Sequence, residues 1–116
     1  METVFLRQYY FSINAVNING SNTGKYMIEE TVLIKNKHGL HARPAAQFVK
    51  IAGKFKSEIK VIKDGLEVNG KSIMGIMMLA AEPGSEIILA INGKDEQAAF
   101  NALLELINND FYEIED

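Results

Sequence analysis

Hydrophobic and polar residues alternate in four segments of the chain, as they do in half-buried strands. These segments are 31–35, 58–63, 66–69 and 87–91. The second and third flank Asp64-Gly65, a dipeptide that strongly favours a β-hairpin turn. In the fourth segment Ile88 and Ala90 are also apolar, so we expect that strand to be buried on both faces or nearly so.

Helical spacing of apolar residues marks three further segments. The pattern over 42–53 predicts an amphipathic helix that ends at Gly53, after a turn at 36–39 that ends the first strand. A short helix is predicted after Ser72 and a last helix after Asp95, its expected N-cap. The last helix carries on one face Ala99, Ala102, Leu103, Leu106 and Ile107.

The resulting order, βαββαβα, has a hairpin in its middle and no regular βαβ alternation, which indicates the α+β class. We expect one four-stranded, largely antiparallel sheet with three helices on one face and solvent on the other. A chain of 116 residues has room for one such domain.

Residues 1–26 have a different composition from the rest. They contain five of the ten aromatic residues and end in an Asn/Gly/Ser-rich stretch that is typical of a linker. We interpret them as a dispensable extension, with an added strand, a disordered tail or a mis-assigned start as the alternatives. Residues 27–116 then form the domain that carries the function.

Composition narrows the class of protein. The absence of cysteine excludes disulfides, a cysteine nucleophile and a thiolate metal site. No apolar run reaches the roughly 20 residues that span a bilayer, so we expect neither a signal peptide nor a membrane anchor, and a cytoplasmic protein. Residues 35–63 hold eight Lys and Arg against one acidic residue, whereas the whole chain carries a net charge of -3. This asymmetry favours an acidic partner or a phosphate over nucleic acid, unless folding intermixes the charges.

The segment around His41 is the strongest candidate for chemistry. His41 lies between Gly39 and the helix that Pro44 helps to begin, so its ring stands at or just before the helix N-terminus. Unpaired amides there attract an anion and disfavour a positive ring. Arg43 adds a forked cationic donor that suits phosphoryl oxygens. The segment therefore indicates a histidine that accepts and releases a phosphoryl group, with a capping histidine beside a surface arginine as the plain alternative.

His38 and His41 also form an H-x-x-H pair. No carboxylate or thiol close in sequence completes a tetrahedral set, so we predict no metal site and no cofactor, and we interpret His38 as a turn residue.

The short helix after Ser72 is apolar on every face over 73–81, although a helix on one side of a sheet needs only one apolar stripe. Ile76 and Leu79 are expected to be buried. We therefore predict an exposed docking patch of Ile73, Met74 and Met77, with burial under residues 1–26 as the alternative. Phosphorylation of Ser72 would add negative charge beside this patch.

Residues 65–72 also match the P-loop pattern G-x-x-x-x-G-K-S. The hairpin signal at Gly65, the strand-like alternation of Leu66 and Val68, and the lack of a later strand that ends in a magnesium-binding aspartate weigh against a nucleotide site.

Two motifs, GLHARPA at 39–45 and KSIMG at 71–75, together with the element order, resemble the HPr family of the phosphoenolpyruvate-dependent sugar phosphotransferase system over about residues 28–110. The resemblance implies an open-faced β-sandwich. It implies that phospho-enzyme I phosphorylates His41 on Nδ1, that Arg43 steadies the phosphate, and that IIA domains of sugar permeases accept it. Such a chain is a cosubstrate rather than a self-sufficient enzyme.

The resemblance further implies that an HPr kinase/phosphorylase phosphorylates Ser72 and so slows the transfer. A regulatory adaptor of carbon or nitrogen metabolism that acts through phospho-Ser72, without sugar transport, is the alternative function. His38 departs from the residues that relatives often carry, which are Asn, Asp or Thr. The sequence does not identify the sugar, the permease or the oligomeric state.

Overall fold

The computed structural model describes residues 27–113. The elements follow the predicted order: β1 (Ile28–Leu33), α1 (Ala42–Ala52), β2 (Glu58–Lys63), β3 (Leu66–Asn69), α2 (Ile73–Met78), β4 (Glu86–Asn92) and α3 (Glu96–Asn108). A short turn, Asp110–Tyr112, follows α3 and is called the C-terminal turn below. The interpretation of residues 1–26 lies outside the described residues.

The four strands form one antiparallel sheet in the order β1-β4-β2-β3. β4 lies between β1 and β2, so the strand with the longest apolar run occupies the interior of the sheet. Its residues Ile87, Leu89 and Ile91 are fully buried, whereas Ile88 and Ala90 are half-buried on the other face. β4 is therefore fully buried on the face that the helices cover, as expected, and only half-buried on the open face of the sheet.

The core lies between the sheet and the three helices. Its largest members include Phe48 of α1, Phe100 of α3 and Phe111 of the C-terminal turn. The α+β fold predicted from the pattern is confirmed: a four-stranded antiparallel sheet with three helices, an open-faced sandwich.

The β2–β3 hairpin forms where Asp64-Gly65 predicts it. Both residues have positive φ, 51° and 84°, as a tight hairpin turn requires. The strand boundaries of 58–63 and 66–69 are confirmed without change. The P-loop interpretation is wrong, because Gly65 belongs to this turn and the amide of Gly70 donates to the carbonyl oxygen of Ile59 at 2.7 Å.

Several element ends differ from the prediction. β1 starts at Ile28 and ends at Leu33, whereas the alternation was followed to residue 35. Ile34 is nevertheless buried, and its backbone still bonds across to Ser85 and Gly84. α2 ends at Met78 because Ala80 adopts a positive φ of 50°, which a continued helix excludes.

Asp95 precedes α3 as predicted, but its capping role and the predicted buried face of the helix are partly corrected. Asp95 is the N-cap residue, but its carboxylate makes no cap bond and instead accepts hydrogen bonds from Lys56 and Ser57. Phe100 is fully buried although the predicted face omitted it, and Ala102 is only half-buried. At 3.6 residues per turn, Phe100 lies nearer than Ala102 to the centre of the face formed by Ala99, Leu103 and Ile107.

Candidate functional site

The segment before α1 is held in place by its own backbone. Leu40 is buried, and its amide donates to the carbonyl oxygen of Ala81, just beyond α2, at 2.9 Å. Gly39 has a φ of +64°, and a Cβ at this position would overlap that same oxygen. Only glycine fits here, because both the left-handed backbone and the close approach exclude a side chain. These contacts fix the backbone of the two residues before His41 against Ala81.

His41 is the N-cap residue of α1. Its backbone is extended (φ -79°, ψ -169°), and its carbonyl oxygen accepts the first helical hydrogen bond from Ala45 at 2.8 Å. Its imidazole is exposed and makes no capping bond, so the ring nitrogens remain available. Within the described residues the amides of Ala42 and Arg43 have no acceptor, and Pro44 has no amide proton to satisfy.

Arg43 lies in the first turn of α1 with its side chain exposed. No ion pair or hydrogen bond within residues 27–113 restrains its guanidinium. Lys50 and Lys54, in the last turn of α1 and just after it, are likewise exposed and outside any described ion pair. An exposed ring nitrogen, two free amides and an unrestrained guanidinium together can receive an anionic group.

Some of the other positive charges of residues 35–63 are paired with carboxylates. Folding therefore intermixes part of the two charge sets, as the alternative to one basic surface predicts. Lys60 pairs with Glu67 at 3.0 Å and lies 3.8 Å from Glu58, and these neighbours raise the pKa of Lys60. Lys63 pairs with Asp64 at 2.9 Å. Among the cations of residues 35–63, no described ion pair includes Arg43 and Lys50 of α1, or Lys37, Lys54 and Lys56 outside it.

The α2 helix presents the predicted apolar residues to solvent. Ile73, Met74 and Met77 are 43%, 75% and 42% exposed, whereas Ile76 is fully buried as predicted. Met78, which the sequence analysis did not select, is 63% exposed and extends the same surface. Below, "docking patch" means Ile73, Met74 and Met77. The alternative of burial under residues 1–26 concerns a segment outside the described range.

Ser72 is the N-cap of α2. Its backbone is extended, and its Oγ accepts a hydrogen bond from the amide of Gly75 at 3.0 Å. The side chain is only half-buried, so the hydroxyl combines a capping role with partial access to solvent. α1 and α2 pack against each other, and the residue before His41 bonds to Ala81, three residues beyond the end of α2.

Glu113, which no sequence pattern marks, contacts the turn that leads to His41. Its Oε2 accepts from Asn36 Nδ2 at 2.7 Å, and its Oε1 accepts from the amide of Lys37 at 3.0 Å. Nδ1 of His38 lies 3.4 Å from Oε2. Glu113 is 77 residues from Asn36 along the chain, so no local pattern could have revealed the contact.

His38 thus belongs to the turn and pairs with one carboxylate. Among residues 27–113 no group of three or more His, Cys, Asp or Glu side chains is arranged to hold a metal ion. Within the same range no helix is long and apolar enough to cross a membrane.

Comparison with known proteins agrees with this architecture. Residues 28–109 match the family described as PTS HPr component phosphorylation site. The phosphocarrier protein HPr of Treponema pallidum is 47% identical over 87 residues, which are 75% of this chain and 99% of that protein.

Two solved structures extend the comparison. The crystal structure of HPr from Thermoanaerobacter tengcongensis is similar with a TM-score of 0.72 and 53% identity, over 75% of this chain and 98% of that one. The solution structure of Crh, described as the Bacillus subtilis catabolite repression HPr, is similar with a TM-score of 0.53 and 46% identity, over 68% of this chain and 94% of that one. The chain therefore belongs to the HPr family of phosphocarrier proteins of the phosphotransferase system.

Proposed function

We propose that this chain accepts a phosphoryl group on His41 from phospho-enzyme I and passes it to the IIA domains of sugar permeases. One observation carries the proposal. The imidazole of His41 is exposed and unbonded at a helix N-cap, directly beside the acceptor-free amides of Ala42 and Arg43. A structural capping histidine would use its ring to satisfy those amides, and this ring does not.

Each transfer exchanges one bond to phosphorus for another. A lone pair on a ring nitrogen of His41 attacks the phosphorus, the bond between phosphorus and the donor breaks, and the donor keeps that bonding pair. The reverse sequence delivers the group to the acceptor. The family resemblance assigns the attacking nitrogen as Nδ1.

The surroundings of His41 stabilise the transferred group. The free amides at the N-terminus of α1 carry partial positive charge, so they attract the phosphoryl group and favour the phosphorylated ring. Arg43 is exposed and unrestrained within the described residues, so its guanidinium is free to bond two phosphoryl oxygens at once. We assign Arg43 to this role.

The docking patch and the cations of α1 suit the same two partners. Exposed methionines adapt to surfaces of different shape, which a carrier that meets a donor and an acceptor in turn requires. Lys50 and Lys54 favour partners with an acidic rim. The carrier thus supplies recognition and a covalent acceptor, and it works as a cosubstrate in the cytoplasm.

The test uses the two histidines of the chain as target and control. Incubation with phosphoenolpyruvate and enzyme I should label the full-length chain with an acid-labile phosphoryl group. His41→Ala should lose the label, and His38→Ala, three residues away, should retain it. Labelling that survives in His41→Ala would contradict the assignment of the acceptor.

Regulation through Ser72 is a second candidate function, favoured by the partly accessible hydroxyl at the start of the docking patch and by the similarity to Crh. A phosphate on Ser72 Oγ would add about -1.5 to -2 charge next to Ile73 while still accepting from the amides of α2. An acidic partner would then be repelled without a change of fold. A kinase of the HPr kinase/phosphorylase type would be the source of this phosphate.

Kinase labelling separates the two functions. ATP and such a kinase should label the wild-type chain and not Ser72→Ala. If this is the only labelling observed, and enzyme I leaves the chain unmodified, the protein is an adaptor and not a carrier.

We also propose that residues 27–116 suffice for both functions and that residues 1–26 are dispensable. A chain that begins at Met27 should accept the phosphoryl group at the rate of the full-length chain. A slower rate would assign a role to the N-terminal segment.

A further inference from the structure

The turn that precedes His41 is held by the C-terminal end of the described chain. Asn36 opens this turn, is buried, and donates from Nδ2 to the carbonyl oxygen of Gly39 at 2.9 Å. The same nitrogen donates to Glu113 at 2.7 Å, and the amide of Lys37 donates to the second carboxylate oxygen at 3.0 Å. Both oxygens of Glu113 therefore restrain a turn that ends two residues before His41.

Contacts of the C-terminal turn fix the chain that leads to Glu113. The three residues of the C-terminal turn have φ values of 54°, 56° and 54°, a left-handed conformation that non-glycine residues rarely adopt in succession. Phe111 within this turn is buried in the core and keeps it in place. Lys35, adjacent to Asn36, pairs with Asp110 at 2.9 Å. The burial of Phe111 and the Lys35–Asp110 pair thus hold the chain just before Glu113.

The carboxylate of Glu113 is ionised in this setting. Its side chain is only 11% exposed, and burial alone would raise its pKa. The hydrogen bonds from Asn36 and Lys37 and the nearby His38 outweigh burial, so the pKa of Glu113 is lowered. The contacts to the turn are therefore charge-assisted and stronger than neutral ones. The other charged side chains along this contact are Lys37, which is exposed, and Lys35 and Asp110, which pair with each other.

We propose that Glu113 is a positioning residue for phosphoryl transfer, because it sets the turn at 36–39 that orients His41. On its other side this segment is held by Ala81, whose oxygen accepts from Leu40. With both contacts in place, the backbone from Gly39 to the first amides of α1 has one arrangement. Without Glu113, one of the two restraints is lost, and the ring and the amides no longer converge on one phosphoryl group.

This inference rests on the proposed function and is tested first without any transfer reaction. Amide spectra of the isolated full-length chain are recorded during an acid titration for wild type, Glu113→Ala, Glu113→Gln and the control Asp64→Asn, which changes an exposed carboxylate on the β2–β3 turn. In wild type, the chemical shifts of the Ala42 and Arg43 amides should change with pH in one transition. Its midpoint should lie below pH 4.5, the ordinary pKa of a glutamate. This transition should be absent in both Glu113 variants and present in the control.

Phosphoryl transfer from enzyme I is then measured at neutral pH. We expect the rate to fall about tenfold in Glu113→Ala and about threefold in Glu113→Gln, which keeps one acceptor oxygen, and to stay unchanged in Asp64→Asn. Equal rates in wild type and Glu113→Ala, or a slower rate with an unchanged acid transition at Ala42 and Arg43, would overturn the inference. If wild type itself is not phosphorylated, the proposed function fails, while the spectra still decide whether Glu113 sets the turn.

Discussion

At the scale of single residues, the site depends on a glycine that no other residue can replace. Gly39→Ala should lower the free energy of unfolding by about 2 kcal/mol and slow phosphoryl acceptance, because the added Cβ both strains the left-handed backbone and overlaps the oxygen of Ala81. Gly65→Ala is the matched control, with a similar φ of +84° and open space around its Cβ. It should show backbone strain alone, with no loss of transfer. Urea unfolding and the enzyme I assay measure the two effects, and equal behaviour of both variants would refute the argument.

Arg43 should contribute to transfer and not to folding, since its exposed side chain has no partner among residues 27–113. We expect Arg43→Ala to slow phosphoryl transfer about ten- to a hundredfold and to leave the melting temperature unchanged. Arg43→Lys should be intermediate because lysine keeps the charge and loses the fork. Lys94→Ala, which removes an exposed cation beyond the far end of β4, is the control for net charge. Similar rates in Arg43→Ala and Lys94→Ala would exclude a specific role.

At the scale of elements, α2 separates folding from recognition. Its buried side holds Ile76, whereas Met77 is 42% exposed. Met77→Glu should therefore raise the KM for enzyme I about tenfold with little effect on stability. Leu66→Glu makes the same change at a residue that is 43% exposed on β3, outside the docking patch, and should leave KM unchanged. If Met77→Glu instead lowers the melting temperature while KM stays the same, Met77 belongs to the core.

The sequence was most informative where local geometry decides the structure. The hairpin at Asp64-Gly65 was predicted to the residue because both positions need positive φ. His41 was predicted at or just before a helix N-terminus because Gly39 and Pro44 flank it, and it is the N-cap residue of α1. Distant partners were not predicted: the carboxylate of Asp95, which is the N-cap residue of α3 as expected, bonds Ser57 and makes no cap bond, and Glu113 reaches the turn at 36–39. Such contacts leave no periodic signal, since they join positions that only the finished fold brings together.

At the scale of the whole molecule, two carboxylates tie together segments that are remote in sequence. Glu113 joins the C-terminal turn to the segment before His41, and Asp95 joins the start of α3 to the loop before β2. Hydrogen bonds from Ser57 and Lys56 lower the pKa of Asp95. Glu96 has the opposite tendency, because burial raises its pKa despite the bond from the Gly93 amide.

These directions fix how the stability of the fold responds to acid. A carboxylate with a lowered pKa stabilises the fold above the pKa of its unfolded form, and that contribution is lost as the pH falls through the folded value. For Asp95 the stabilisation is lost below its ordinary pKa of 3.8. Protonation of Glu96, whose pKa is raised, stabilises the fold instead. Replacement of Asp95 alone therefore isolates the contribution of Asp95 to the acid response. Asp95→Asn should destabilise the protein at pH 7 and flatten the fall of the melting temperature as the pH drops below about 4. Asp64→Asn, at an 85% exposed carboxylate, should leave both unchanged. An acid slope in Asp95→Asn as steep as that of wild type would show that the contact between α3 and the 56–57 loop does not stabilise the fold.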